Sequence, residues 1–233
     1  MLHKKIESIL PLVQKPARYT GGELNSVVKD KNNVDIRFAF CFPDTYEIGM
    51  SHLGIQILYD LFNSMEDVWC ERVFAPWGDM YEEMKKAGLP LYALESGDAL
   101  TDFDIVAFSL SYEMAYTNIL QVLDLAQIPL FAKDRTKDHP FVIGGGPCTY
   151  NPEPLAEYID FFSLGEGEEI TPEIISLYDR AKSGNWTKEQ FLQEVSKIPM
   201  IMSVDEEGGT VSSDIKKIDS RFTSLLLWLG QNR

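Results

Sequence analysis

The run "DIVAFSLS" (104–111) constrains the fold more than any other stretch. It is apolar at odd and even positions alike, so an extended chain there has two faces to hide, as the central strand of a parallel sheet does. Similar segments recur around it. "VDIRFAFCF" (34–42) alternates Ile36, Phe38, Phe40 and Phe42 with Arg37, Ala39 and Cys41, and breaks at "PDTYEIG". From Met50 the apolar positions Leu53, Ile57, Leu58, Leu61 and Met65 follow a helical period. "VWCERVF" (68–74), a helix near 77–87, a short "PLYAL" strand, a helix near 113–126, "FVI" (141–143) and "DFFSLG" (160–165) continue the alternation. Strand, turn, helix and strand in repeat predict an α/β fold, a doubly wound and mainly parallel Rossmann-like or flavodoxin-like sheet with helices on both faces.

In such sheets ligands sit beyond the carboxyl ends of the strands. Four loops occupy that position: 43–49, 109–113, 144–150 and 165–169. The third is the most unusual, because "FVIGGGPC" (141–148) runs a strand straight into Gly144, Gly145, Gly146 and Pro147. It is not a G-x-G-x-x-G fingerprint and no G-x-x-x-x-G-K-[ST] occurs, so neither nucleotide-binding motif is present. Two readings remain, a tight turn and a backbone kept bare for a ligand.

Residues 1–33 read as an irregular N-terminal extension with a flexible "TGGELNS", and 34–183 as the Rossmann domain. From 184 to 233, "TKEQFLQEVSKI" predicts a short helix and "PMIMSVDEEGGTVSSDIKKI" a hairpin turning at Glu207, Gly208 and Gly209. The net charge of −15 argues against direct nucleic-acid binding. The one strongly apolar run, "LLLWLG" (225–230), is far short of the ~20 residues that a membrane span needs. No secretory signal opens the chain. The cysteines Cys41, Cys70 and Cys148 are too scattered for a disulfide framework or a C-x-x-C metal site and suit a reducing compartment, so the expected location is the cytoplasm. Cys41 and Cys70 read as core, Cys148 as a thiol beside the glycines. Glu166, Glu168 and Glu169 suit a helix N-terminus, and Trp69, Trp77 and Tyr81 core packing. His3, His52 and His139 give no nucleophile–base pair, which argues against an independent small-molecule enzyme.

"FVIGGGPCTYNPEPLAEYIDFFSLGEGEEITPEI", together with "FPDTYEIGMSHLGIQILYDLFN", "ERVFAPWGDM" and "DFDIVAFSLSYEMAYTNILQVLDLAQIPL", resembles the cobalamin-binding-type N-terminal domain of radical S-adenosylmethionine proteins. The likeness runs from about Tyr19 to Ile201. It implies a module that holds cobalamin at its strand ends over an iron–sulfur barrel and is not catalytic by itself. Asp44, Tyr46, Gly49, Ser109, Ser111, Gly144, Gly145, Gly146 and Gly165 would line that site, with no metal ligand among them. It also implies a barrel domain as partner, in cis or in trans, carrying the [4Fe–4S] cluster and S-adenosylmethionine.

The chain departs from the pattern twice. Where D-x-H-x-x-G would supply a histidine to cobalt, Asp44-Thr45-Tyr46-Glu47-Ile48-Gly49 has tyrosine, a poor cobalt ligand at neutral pH. His52, three residues further, is either a displaced ligand or a first-turn surface residue. No C-x-x-x-C-x-x-C occurs, so the expectation is a piece ending before the barrel, with apolar residues near 225–230 favouring a homo-oligomer. The rival expectation is a docking platform of the same fold that binds no cobalamin, its cavity blocked by Tyr46, Tyr112 and Tyr150.

Overall fold

A computed structural model describes residues 2–204 and 210–212. Its sheet has the order β2-β1-β3-β4-β5-β6-β7. The strands are β1 (Ile36–Phe42), β2 (Val68–Phe74), β3 (Ile105–Ser109), β4 (Phe141–Gly145), β5 (Phe161–Ser163), β6 (Ile201–Val204) and β7 (Thr210–Ser212). The first five pair in parallel, and β6 and β7 add an antiparallel edge. The parallel part, 2-1-3-4-5, is the flavodoxin-like order. The expected α/β fold is therefore present, and the hairpin expected after residue 198 forms; its turn lies outside the described residues.

Both faces of the sheet are covered. One face presents Phe38, Phe40, Ala107, Ile143 and Phe161 to α3 (Leu53–Asn63), α6 (Gly167–Ser183) and α7 (Lys188–Val195). The other presents Ala39, Cys41, Val106, Phe108, Val142 and Phe162 to α1 (Leu2–Ile9), α4 (Gly78–Ala87) and α5 (Tyr116–Leu125). Every residue of β1 is buried, Arg37 included. Cys41 and Cys70 are fully buried on opposite faces, in the core as expected, so these two thiols cannot converge on one cluster. Among the described residues no helix is long and apolar enough to cross a membrane.

Three local expectations change. The helix foreseen from Met50 starts earlier, as α2 (Tyr46–Ser51), and breaks at His52, whose extended backbone (φ −82°, ψ 113°) separates it from α3. "PLYAL" forms a single bridge, Tyr92 to Ala99, rather than a strand. The Leu94 amide does donate to the Arg72 carbonyl (2.9 Å), but the Arg72 amide goes to the Glu95 carboxylate (2.7 Å), which also accepts from Arg72 Nε (2.6 Å), so a side chain takes the place of the next backbone bond. Burial still holds the Glu95 carboxyl above its usual range, against the pull of Arg72. "TGGELNS" is likewise tied down, with Ser26 Oγ accepting from Arg72 Nη2 (2.9 Å) and Glu23 accepting from the Tyr46 hydroxyl (3.0 Å).

The amino ends of the strands are held by two aspartates. Asp104 accepts from the Arg37 amide (2.8 Å), Tyr178 (3.0 Å) and Lys182 (2.7 Å). Asp160 accepts from the Val142 amide (2.7 Å) and Arg135 Nε (3.2 Å), and pairs with Lys188 (2.7 Å). Arg135 and Asp160 are both buried, so truncating one strands the charge of the other. Asp160→Ala should therefore destabilise the chain by about 3–5 kcal/mol; urea unfolding, read as a lowered midpoint at constant slope, checks it.

Candidate functional site

The carboxyl ends of β3, β4 and β5 stop level with one another. Ser109 is in register with Gly145, and Gly145 with Ser163, so Ser109, Gly145 and Ser163 form a row across three strands. The row floors a cavity of about 540 Å³. Phe38, Phe40, Ala107 and Ile143 of the sheet continue the floor inward, Leu58 and Phe62 of α3 form one wall, and Gly165 to Glu168 with Thr171 form another. Native interiors leave few voids larger than a water molecule. A cavity this size, largely apolar with a few polar groups, falls within the range of small-molecule sites.

The three glycines divide the two roles left open by the sequence. A Cβ on Gly144 would come within 2.9 Å of both Leu110 Cδ1 and Phe162 Cδ1. Gly146 has φ +108°, and a Cβ there would sit 3.1 Å from the Leu110 carbonyl oxygen. Both are demanded by Leu110, whose amide donates to the Gly145 carbonyl (2.6 Å) and whose carbonyl accepts from the Cys148 amide (2.9 Å). Gly145 is different, because a Cβ there would meet nothing within 4 Å. Only Gly145 keeps the floor bare for something outside the fold.

Of the residues expected at a site, Ser109, Ser111, Gly144, Gly145, Gly146 and Gly165 line this cavity. Asp44, Tyr46 and Gly49 do not. Tyr46 packs edge-on against Phe74 (centroids 5.5 Å apart) and donates to Glu23. Gly49 lies under Phe74, whose Cε1 would be 2.3 Å from an added Cβ, so the absent side chain lets α2 close on β2. Asp44 accepts from the Tyr112 hydroxyl and from the Thr45 amide (2.6 Å). Burial, with the Asp44 carboxylate it bonds, pushes the Tyr112 hydroxyl up to about 12. This pair occupies the β1/β3 switch point, where a flavodoxin-like sheet would otherwise seat a ligand; the opening is displaced to β3, β4 and β5. Of the three tyrosines expected to block it, only Tyr150 is in the lining, and Tyr150 is 63% exposed at the rim.

His52, left open by the sequence between a displaced ligand and a first-turn residue, is the N-cap of α3 and faces the cavity. Its ring lies on Phe42 (centroids 5.0 Å) and lines the cavity, and its Nδ1 is buried with no hydrogen-bond partner. The absence of a Cβ on Gly54, which would stand 3.1 Å from His52 Cε1, leaves room for the ring. The signal was present in "SHLG", a histidine two residues before a helical glycine. Cys148 packs into the core under the glycine turn and is not in the lining. Glu166 precedes the first turn of α6 and Glu168 and Glu169 lie within it, as expected, and Glu166 and Glu168 also border the cavity. Trp69 is buried as expected, with its Nε1 donating to the Val27 carbonyl (3.0 Å), whereas Trp77 is 55% exposed.

Fold and site together define a flavodoxin-like α/β domain with a ligand-sized opening at its strand ends. Residues 54–203 match the family of N-terminal regions of radical SAM proteins, and the chain belongs to that family. It is 25% identical over 143 residues to an uncharacterized protein of Methanocaldococcus jannaschii, an alignment covering 59% of this chain and 26% of that protein. The chain thus corresponds to about a quarter of its relative's length. No solved structure matches it.

The glycine assignment has a direct check. Gly144→Ala should cost about 1–3 kcal/mol through overpacking, and Gly146→Ala should also destabilise because alanine resists its positive φ. Gly145→Ala should change stability by less than about 0.5 kcal/mol, as at surface positions. Equal losses at all three positions by urea titration would remove the distinction.

Proposed function

We propose that this chain is the cofactor-holding accessory domain of a radical SAM protein, and that the cofactor is cobalamin. The observation that carries the reading is the cavity above Gly145: largely apolar, open to the outside, and floored at Gly145 by backbone that no side chain covers. The residues fit an elongated tail with a flat ring. Phe38, Phe40, Ile143 and Phe62 supply apolar surface, Ser109 and Ser111 supply hydroxyls, and His52 holds an orphaned buried nitrogen beside the opening. They do not supply cobalt with a ligand from the usual position, since the Tyr46 hydroxyl is bonded to Glu23.

When bound, cobalamin supplies methyl-transfer chemistry at cobalt. This chain's part is to bind, orient and keep water from the buried portion. The [4Fe–4S] cluster, S-adenosylmethionine and the substrate belong to the barrel domain that the family implies, in cis or in trans. Methylation is the reaction class this arrangement suits.

A docking platform without cobalamin is the second reading. It is favoured by the apolar groups left exposed on the strand-end side: Ile48 and Leu53 flanking His52, Met114 after β3 and Tyr150 after β4, at 46%, 69%, 88% and 63% exposure. Exposed apolar side chains of this kind suit a protein partner.

Titration of the purified chain with hydroxocobalamin, followed by absorbance and calorimetry, separates the two. The expected result is saturable one-to-one binding with a base-off spectrum. Gly145→Phe, whose Cβ meets no neighbour and whose ring would enter the cavity, should weaken it at least tenfold, and cobinamide, which lacks the nucleotide tail, should bind correspondingly worse. A wild-type chain that binds neither compound would replace the cofactor reading with the docking platform.

A further inference from the structure

A second pocket, of about 200 Å³, lies at the opposite end of the sheet, where β4 begins. It is bounded by Thr136, Lys137 and His139 ahead of β4, by Tyr178 and Lys182 of α6, and by Asn185, Trp186 and Lys188 at the passage into α7. The chain carries 36 acidic against 21 basic residues, yet three lysines and no carboxylate line this pocket. Asp104 and Asp160 behind the lining pair with Lys182 and Lys188, so of the three Lys137 is the lysine left without an ion pair among the described residues, and that is the first observation.

The second is the hydrogen-bonding capacity left over. Lys188 spends its three donors on Asp160 (2.7 Å) and on the Ala132 and Arg135 carbonyls (3.3 Å each). Lys182 spends two, on the Asp35 carbonyl (2.6 Å) and Asp104 (2.7 Å), and an ammonium has a third. Lys137 is exposed and bonds to no described residue. His139 Nδ1 accepts from the Thr136 amide (3.1 Å), and a backbone amide can only donate. The neutral ring therefore carries its proton on Nε2, a further donor. The Trp186 indole N–H has no partner among the described residues. What remains at this pocket is thus dominated by donors, set against the aromatic walls of Trp186, Tyr178 and Phe141.

We propose that this pocket binds the phosphate group of a small phosphorylated molecule, with the attached group against Trp186. A phosphate presents several acceptor oxygens to donors converging from different elements, which a planar carboxylate does less well. Lys137 and His139 come from one loop, Lys182 and Trp186 from the other side, so the anion bridges them. The acidic character of the rest of the chain opposes long-range attraction of an anion, and contacts at close range must provide the affinity. This site is independent of the strand-end cavity and of what that cavity holds.

The test is titration of the full chain with phenyl phosphate, inorganic phosphate and benzoate, followed by the indole N–H resonance of Trp186, assigned with Trp186→Phe. Saturable binding is expected for phenyl phosphate, weaker binding for inorganic phosphate, and the weakest for benzoate. Lys137→Ala should weaken phenyl phosphate roughly tenfold, as loss of a charge-assisted hydrogen bond does. His139→Gln should weaken it less, because glutamine retains both an acceptor and a donor. Both side chains are outside the core, and an unchanged melting temperature confirms the fold of each variant. No saturable shift in the wild-type chain overturns the proposal, as does binding indifferent to Lys137→Ala. Benzoate binding as tightly as phenyl phosphate overturns the choice of phosphate.

Discussion

The turn after β4 wraps the backbone of Leu110, and the site follows from that contact. The Leu110 amide donates to the Gly145 carbonyl, the Leu110 carbonyl accepts from Cys148, and a side chain at Gly144 or Gly146 would strike Leu110. Two glycines are thereby committed to holding β3 and β4 level at their carboxyl ends. Because they are level, Ser109, Gly145 and Ser163 form one row, and the third glycine leaves that row uncovered. The bare floor is a consequence of packing on one side of the strand and of vacancy on the other.

The two ends of the sheet are built differently. At the carboxyl ends, backbone and apolar side chains shape an opening with two glutamates beside it. At the amino ends, Asp104 and Asp160 gather lysines and an arginine under the starts of β1 and β4. Buried ion pairs of this kind gain little net stability over apolar packing, yet removing one member is costly. They fix where α6 and α7 leave the sheet. The donor-rich pocket beside them arises because the carboxylates are spent inside while ammonium and indole donors are left facing outward.

The parallel sheet was legible because "DIVAFSLS" is apolar on both faces, as a central parallel strand is, and because "VDIRFAFCF" and its neighbours alternate with helical segments. The hairpin of β6 and β7 was legible through Gly208 and Gly209 in the sequence between its strands. The helix break at His52 was not, since the apolar period runs on through "MSHLGIQIL" and only the packing of α2 over Phe74 shows where the axis stops. Nor was the failure of "PLYAL" to form a strand, which depends on Glu95 meeting Arg72, twenty-three positions earlier in the chain. The strand-end rule grouped Ser109, Ser111 and the glycines, and the structure places them in the lining of one cavity. It grouped Asp44, Tyr46 and Gly49 with them because loop position ignores which way a side chain turns.

By itself the sequence determined the fold class, the layering of helices on both faces and the loops from which a site is made. Each rests on periodicity and turn chemistry, properties of neighbouring residues. Only the tertiary structure decided that two of three adjacent glycines serve Leu110 and one serves the cavity, that His52 belongs to its wall, and that Tyr46 does not. Those distinctions depend on which distant atom lies a few ångströms from a given Cα, and a distance across the fold is not written in the spacing along the chain.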